Sequence, residues 1–279
     1  MKTLIPIGGA LDKEDPRVMR EFIARAGGKQ ANILIFPQAS ALPETGTLYV
    51  QQCLELGASQ AQALEFRERR LADNPDHLRA VQQASGIFFT GGAQMRLTQL
   101  LGGTLLETAL QQAYQRGCII AGTSAGASVL SKTMIAYGKN GPTPRAGILQ
   151  FSPGLGFTDK FTFDQHFQQR NRFGRLIYAV ATHPGILGIG IDEDTAAIIE
   201  DDETLTVCGS GAVTIVDGRE IGETNVAEIE RRGPVAVSNL KIHVLTDGCV
   251  YDGRTRQAHL PHKTLLADEP GKNSKGEEA

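Results

Sequence analysis

The chain has no tryptophan, and aromatic residues of every kind make up only 6% of it. Few flat rings are therefore available to stack on nucleobases. It also has no surplus of positive charge. Lys and Arg number 28 against 31 Asp and Glu, a formal net charge of -3. Neither a nucleic acid nor an anionic membrane surface is expected as a partner. No apolar run reaches the ~18 residues of a membrane span. Cysteine is scarce: Cys53, Cys118, Cys208 and Cys249 lie far apart with no CxxC pair. That spacing argues against a zinc site and against a disulfide framework. No metal and no cofactor are expected. The opening stretch, Met1 to Ile7, runs straight into Gly8-Gly9 and lacks the apolar h-region of a signal peptide. A reducing, cytoplasmic setting is expected.

What remains is an ordinary globular composition, 41% hydrophobic and 21% charged over 279 residues. That length suffices for a sizeable core in one large α/β domain. Short apolar strands alternate with helical patterns in the first half. Strands are predicted at Thr3 to Ile7, Ala31 to Phe36, Gln60 to Phe66, Gly86 to Thr90 and just before Ser124. Helices are predicted at Arg17 to Ala26, Leu42 to Leu56, Asn74 to Ala84, Gln94 to Leu101 and Leu105 to Arg116. This alternation predicts a mostly parallel, doubly wound central sheet flanked by helices. Tyr137 to Phe157 is rich in Pro and Gly and reads as a loop or lid. From about Ile186 short strands dominate, so the C-terminal part is β-rich. Lys241 to Leu245 and Cys249 to Tyr251 bracket Asp247-Gly248, a hairpin signal. One domain is expected over 1–269. The polar, charged stretch 270–279 is expected to be a disordered tail.

The chemistry centres on Ile119-Ile120-Ala121-Gly122-Thr123-Ser124-Ala125-Gly126. A β-branched run ends in Gly-x-Ser-x-Gly, and a helix is predicted from Ala125 to Leu130. Strand, sharp turn and helix together form a nucleophile elbow, which lifts the Ser124 hydroxyl clear of the backbone. The helix start aims free N–H groups and a positive dipole end at the reacting atom. The N–H of Ala125 is one candidate oxyanion donor. The plain alternative is a glycine-rich turn with a solvent-facing serine. In doubly wound sheets ligands bind beyond the carboxyl ends of the strands. Gly8-Gly9, Gly91-Gly92 and Gly122 to Gly126 all fall at such ends and are expected to share one crevice.

A nucleophilic serine needs a base, and the base needs an orienting acid. His166 lies in Asp164-Gln165-His166-Phe167, just after a predicted strand and among polar and cationic groups. His77 reads as solvent-facing and His183 as a turn residue, while His243, His259 and His262 lie in the β-rich part. Candidate acids sit in Asp192-Glu193-Asp194, whose plain alternative is a solvated turn.

Three segments in register carry a resemblance. Gly122-Thr123-Ser124-Ala125-Gly126-Ala127, Asp164-Gln165-His166-Phe167 with Arg170, Arg172 and Arg175, and Gly190-Ile191-Asp192-Glu193 together resemble the cyanophycinases. These share a serine-peptidase family with the aspartyl dipeptidases (peptidase E). The resemblance runs from about Ile5 to Leu245. It implies an α/β sandwich similar to class I glutamine amidotransferases and flavodoxin-like proteins. It implies Ser124 as nucleophile, His166 as base and Glu193 as orienting acid. It places a second oxyanion donor at Gly92 or Ala93. Gln94, Asp164, Gln165, Arg170, Arg172 and Arg175 match positions that shape the substrate groove. One departure is Ala93, where the family often has Asp. The implied substrate is cyanophycin, a poly-aspartate chain with arginine joined to its β-carboxyls, cleaved to β-Asp-Arg dipeptides. Asp159, Asp164 and Asp192 are candidates to receive the substrate arginine. The resemblance also implies a homodimer. Three rivals stand beside it: an aspartyl dipeptidase, an α/β-hydrolase esterase using His243, His259 or His262, and a non-catalytic cyanophycin-binding protein.

Overall fold

The computed structural model describes residues 1–201 and 203–261. The predicted tail at 270–279 and His262 lie outside the described residues. In the first half, strands β1 (Thr3–Ile7), β2 (Asn32–Phe36), β3 (Gln60–Ala63), β4 (Gly86–Phe89) and β5 (Ile119–Thr123) alternate with helices. The helices are α1 (Arg17–Arg25), α2 (Thr45–Glu55), α3 (Pro75–Gln83), α4 (Gln94–Leu101) and α5 (Leu105–Gln115). Pro75 fits the first helical position of α3, and the Asn74 side chain accepts the Asp76 N–H. Thr104 caps α5 in the same way through Glu107.

The second half begins with a single turn, α6 (Ala125–Ser128). It continues through β6 (Thr133–Gly138), β7 (Leu149–Pro153), β8 (Phe161–Gln165) and α7 (Phe173–Thr182). Strands β9 (Leu187–Ile191), β10 (Thr195–Glu200), β11 (Thr204–Gly209) and β12 (Val213–Asp217) follow, then β13 (Lys241–Leu245), β14 (Val250–Asp252) and β15 (Gln257–His259).

The central sheet has the order β15-β14-β11-β10-β1-β5-β4-β2-β3. Only the run from β1 to β3 is parallel; from β1 to β15 every pairing is antiparallel. The sheet is thus mixed rather than mostly parallel. The reason is connection length: β10 reaches β11 through a few residues, and so short a link permits only antiparallel pairing. Strand side chains alternate between two faces. Leu4, Leu34, Phe36, Ile87 and Phe89 belong to one core cluster, with α3 and α5. Ile5, Ile7, Ile33, Ile35 and Phe88 belong to a second, with α1 and α2.

A smaller sheet, β13-β12-β9-β8, packs its Phe163, Ile189 and Ile215 into the first of these clusters. The hairpin predicted around Asp247-Gly248 does not form. Strand β13 pairs with β12, whereas β14 pairs with β11, so the turn carries the chain from one sheet to the other. Asp247 Oδ1 instead accepts the Gly209 N–H. The Pro- and Gly-rich stretch 137–157 is not a plain loop either. It contains the end of β6 and all of β7, which pair as a hairpin, and its Ile148 and Leu149 pack on α7 together with Ile135 of β6.

Candidate active site

Three strand ends meet on one glycine turn. Strand β1 ends at Gly8-Gly9. The Ile7 carbonyl accepts the Ser124 N–H at 2.9 Å, and the Gly8 carbonyl accepts the His166 N–H at 2.8 Å. The Gly9 carbonyl accepts the Asp194 N–H at 2.8 Å. A Cβ on Gly8 would lie 1.9 Å from the Asp192 carbonyl oxygen, and one on Gly9 would lie 2.3 Å from His166 Cε1. Only glycine lets β1 approach both segments. The sequence placed this turn in the crevice but did not reveal it as the hub.

Ser124 closes β5 at φ 53°, ψ −111°, outside the ordinary basins for a residue with a side chain. Such a conformation costs on the order of 1–3 kcal/mol and is held by its surroundings. The flanking glycines explain how. A Cβ on Gly122 would sit 2.2 Å from the Gly126 carbonyl oxygen, and one on Gly126 would sit 2.1 Å from that of Phe89. Space, not backbone freedom, demands glycine at both positions. The helix behind the serine is shorter than predicted and ends at Ser128. A single turn has little macrodipole, so any oxyanion contact here rests on individual N–H groups.

Ser124 Oγ lies 2.9 Å from His166 Nε2, and His166 Nδ1 lies 2.5 Å from Glu193 Oε1. With the carboxylate as acceptor, Nδ1 carries the proton and Nε2 is left to accept from the hydroxyl. His166 is 8% exposed. Burial pushes its pKa below the ordinary 6.5; the Glu193 hydrogen bond opposes this, and the Arg170 charge adds to it. The imidazole is therefore neutral near pH 7, the state a general base needs.

The neighbouring acids are occupied. Asp192 accepts the N–H groups of Gln168 and Ala212, and Asp194 accepts those of Asp12 and the Ser210 hydroxyl. Asp164 is 1% exposed and lies between Arg172 and Arg175, which are 7% and 5% exposed. Arg175 Nε donates to Asp164 Oδ2 at 2.6 Å, and its Nη2 contacts Oδ1. Arg172 Nη1 reaches Asp164 Oδ1 at 3.3 Å and both oxygens of Gln165. Gln165 Nε2 in turn donates to Ser128 Oγ in α6. Arg172 and Arg175, which the resemblance matches to positions that shape the substrate groove, thus spend their guanidinium groups on holding β8 to the start of α7. Arg170 is different: it is exposed and makes no ion pair among the described residues.

The remaining expected positions are equally specific. The Ala93 N–H donates to the Ala39 carbonyl at 2.9 Å, so it is spent. The N–H groups of Gly92 and Ala125 make no backbone hydrogen bond among the described residues. Gln94 Nε2 donates to the Ala136 carbonyl at 2.6 Å and braces β6. Asp159 is exposed and precedes β8, at the end away from His166. His259 lies on β15, with β14, β11, β10 and β1 between it and β5. His243, on β13 of the small sheet, packs on Tyr251 of β14 in the central sheet. Among the described residues no His, Cys, Asp and Glu side chains gather as a metal site would, and no helix is long and apolar enough to cross a membrane.

A cleft of about 660 Å³ opens over Ser124 and His166. Its walls are the segment Ala10 to Pro16 and one face of α2. No sequence motif marked α2 for this role, because its pattern is that of a half-buried amphipathic helix.

Comparison with known proteins gives a consistent picture. The sequence profile of peptidase family S51 matches residues 4–207. A cyanophycinase of Trichormus variabilis is 43% identical over 266 residues, covering 94% of this chain and 87% of that protein. A cyanophycinase of Synechococcus elongatus is 41% identical, covering 94% and 82%. The crystal structure of a peptidase from an acI-B1 actinobacterium superposes with a TM-score of 0.65 at 24% identity, covering 90% of this chain and 97% of that one. At that identity the likeness speaks for the fold.

Proposed function

The chain belongs to peptidase family S51 and is a serine-type peptidase, and from that premise we propose that it hydrolyses cyanophycin to β-Asp-Arg dipeptides through an acyl-enzyme. The observation that carries the reading is the relay from Ser124 through His166 to Glu193. His166 takes the hydroxyl proton as Ser124 Oγ attacks the scissile carbonyl. The imidazolium that forms is stabilised by the Glu193 carboxylate. The N–H groups of Ala125 and Gly92 receive the oxyanion, each lowering the barrier by about 3 kcal/mol. His166 then protonates the leaving amine, and water releases the acyl group by the same route in reverse. No step calls on a metal or cofactor.

Arg170, exposed at the rim beside His166, is placed to meet a substrate carboxylate. Asp164, Gln165, Arg172, Arg175 and Gln94 shape the groove from behind by fixing β8, α6, α7 and β6. We read the two-faced central sheet as the sandwich of the class I glutamine amidotransferase-like, flavodoxin-like kind. We read residues 1–269 as one peptidase domain that works in the cytoplasm as a homodimer.

The test is incubation with insoluble cyanophycin and mass analysis of the soluble product. Wild-type protein releases β-Asp-Arg, and Ser124→Ala lowers kcat by about 10⁴-fold or more while the circular dichroism spectrum is unchanged. Dipeptide release by Ser124→Ala at the wild-type rate would overturn the assignment. Cleavage of Asp-Leu in preference to the polymer would move the protein to the dipeptidase branch.

A further inference from the structure

The acids that the sequence offered to the substrate arginine are unavailable: Asp164 is buried on two arginines, Asp192 holds two backbone N–H groups, and Asp159 precedes β8. The cleft over Ser124 nevertheless has one carboxylate in its wall, Glu55. It belongs to a face of α2. Thr45, Leu48, Tyr49, Gln52, Glu55 and Leu56 line the cleft, a spacing of three and four that places them on one stripe of the helix. The other side of α2 is in the core, where Gly46 and Cys53 are buried, and Tyr49 and Leu56 at the margin of the stripe also pack against it, the Tyr49 ring centroid lying 4.8 Å from that of Phe88.

Two features of this stripe suit a cationic side branch. Leu48 is 57% exposed and offers apolar surface to the cleft. Glu55 is the last helical residue, where a negative charge opposes the macrodipole, and α2 has no basic residue in its last turn to offset it. Glu55 also makes no ion pair among the described residues. A carboxylate added to the negative end of a helix makes a local sink for a cation. An apolar side chain half-way along the same stripe suits the methylene stem that carries such a cation.

We propose that the cleft-facing stripe of α2 is the arginine-selecting wall of the site, with Glu55 receiving the guanidinium of the substrate's side branch and Leu48 and Tyr49 packing its stem. This rests on the reading of cyanophycin as substrate. Glu55 and Ser124 line the same cleft. An extended arginine branch reaches roughly 12–14 Å from the scissile carbonyl to the guanidinium, by standard bond lengths. The branch also bears a free carboxylate, and Lys13, on the facing wall, is an unpaired cation among the described residues.

The experiment compares wild type, Glu55→Gln and Glu55→Lys on two soluble oligomers of the same poly-aspartate backbone, one bearing arginine and one bearing neutral citrulline. Wild type prefers the arginine oligomer. Glu55→Gln raises KM for it by about tenfold, as expected for losing a charge-assisted bond, and leaves KM for the citrulline oligomer unchanged. Glu55→Lys inverts the preference. An arginine-to-citrulline ratio that is the same in all three proteins would overturn the proposal while leaving the cyanophycin reading intact. A wild-type protein that cleaves neither oligomer would overturn both.

Discussion

His166 has Glu193 on one ring nitrogen and Ser124 on the other, and in the proposed role of base its surroundings set the pH at which it would work. A base must be neutral to accept a proton. Burial lowers the pKa of His166 below 6.5, so the neutral form predominates at pH 7 and is lost as pH falls through that lowered value. The acidic limb of kcat/KM against pH should therefore have its midpoint below 6.5. In Glu193→Gln the contribution that holds the pKa up disappears, so the limb moves to still lower pH. The plateau falls by about 10²- to 10⁴-fold, because the imidazole loses both its tautomer and its counter-charge. A wild-type midpoint above 6.5 would contradict the burial argument. At this scale the serine was the most legible group. Gly122 and Gly126 are demanded by contacts inside one short segment, and short-range sterics leave a motif. His166 stood out among six histidines only by its polar surroundings, and Glu193 was one of three adjacent acids; their assignment to Ser124 came from their order in a resemblance, since the Gly8-Gly9 turn that gathers them is distant in sequence.

Among the elements, the junction of β8 and α7 separates two roles for the same charges. Asp164 is 1% exposed between two buried guanidinium groups. If Asp164 served the substrate, Asp164→Ala would weaken binding. The contacts assign it to the fold, so the expected result is a loss of about 3–5 kcal/mol of stability, the cost of leaving buried charge without its partner. Urea unfolding of Asp164→Ala followed by circular dichroism measures this. A midpoint equal to wild type, with a raised KM, would return Asp164 to the groove. The sequence could not separate the two roles, because a row of Arg spaced along a helix start looks the same whether its partner is a substrate or a buried aspartate. Helices and parallel strands were legible, since apolar runs and caps are local. The β13–β14 hairpin was misread because Asp247-Gly248 fits a hairpin locally, while the pairing is decided by β11 and β12, far away in the chain.

For the whole molecule, the relay joins two sheets. Ser124 follows β5 of the central sheet, whereas His166 follows β8 of the small one, and Glu193 lies in the link from β9 to β10 that passes between them. Either sheet moving alone would break the relay. The core makes such movement costly: Leu4 and Phe36 of the central sheet, Leu110 and Ala113 of α5, and Phe163 and Ile215 of the small sheet share one apolar cluster. Peeling β8 and β9 away would expose both inner faces at about 25 cal/mol per Å² of apolar surface, a cost that the separate clusters around α1 and α2 and around α7 do not offset. Unfolding should then be a single cooperative event despite the two sheets. Scanning calorimetry should give one endotherm whose calorimetric and van't Hoff enthalpies agree, with hydrolytic activity lost at the same midpoint. A first transition that abolished activity while the central sheet kept its far-UV signal would show instead that the small sheet melts independently, and that the relay is assembled across a joint rather than within one core.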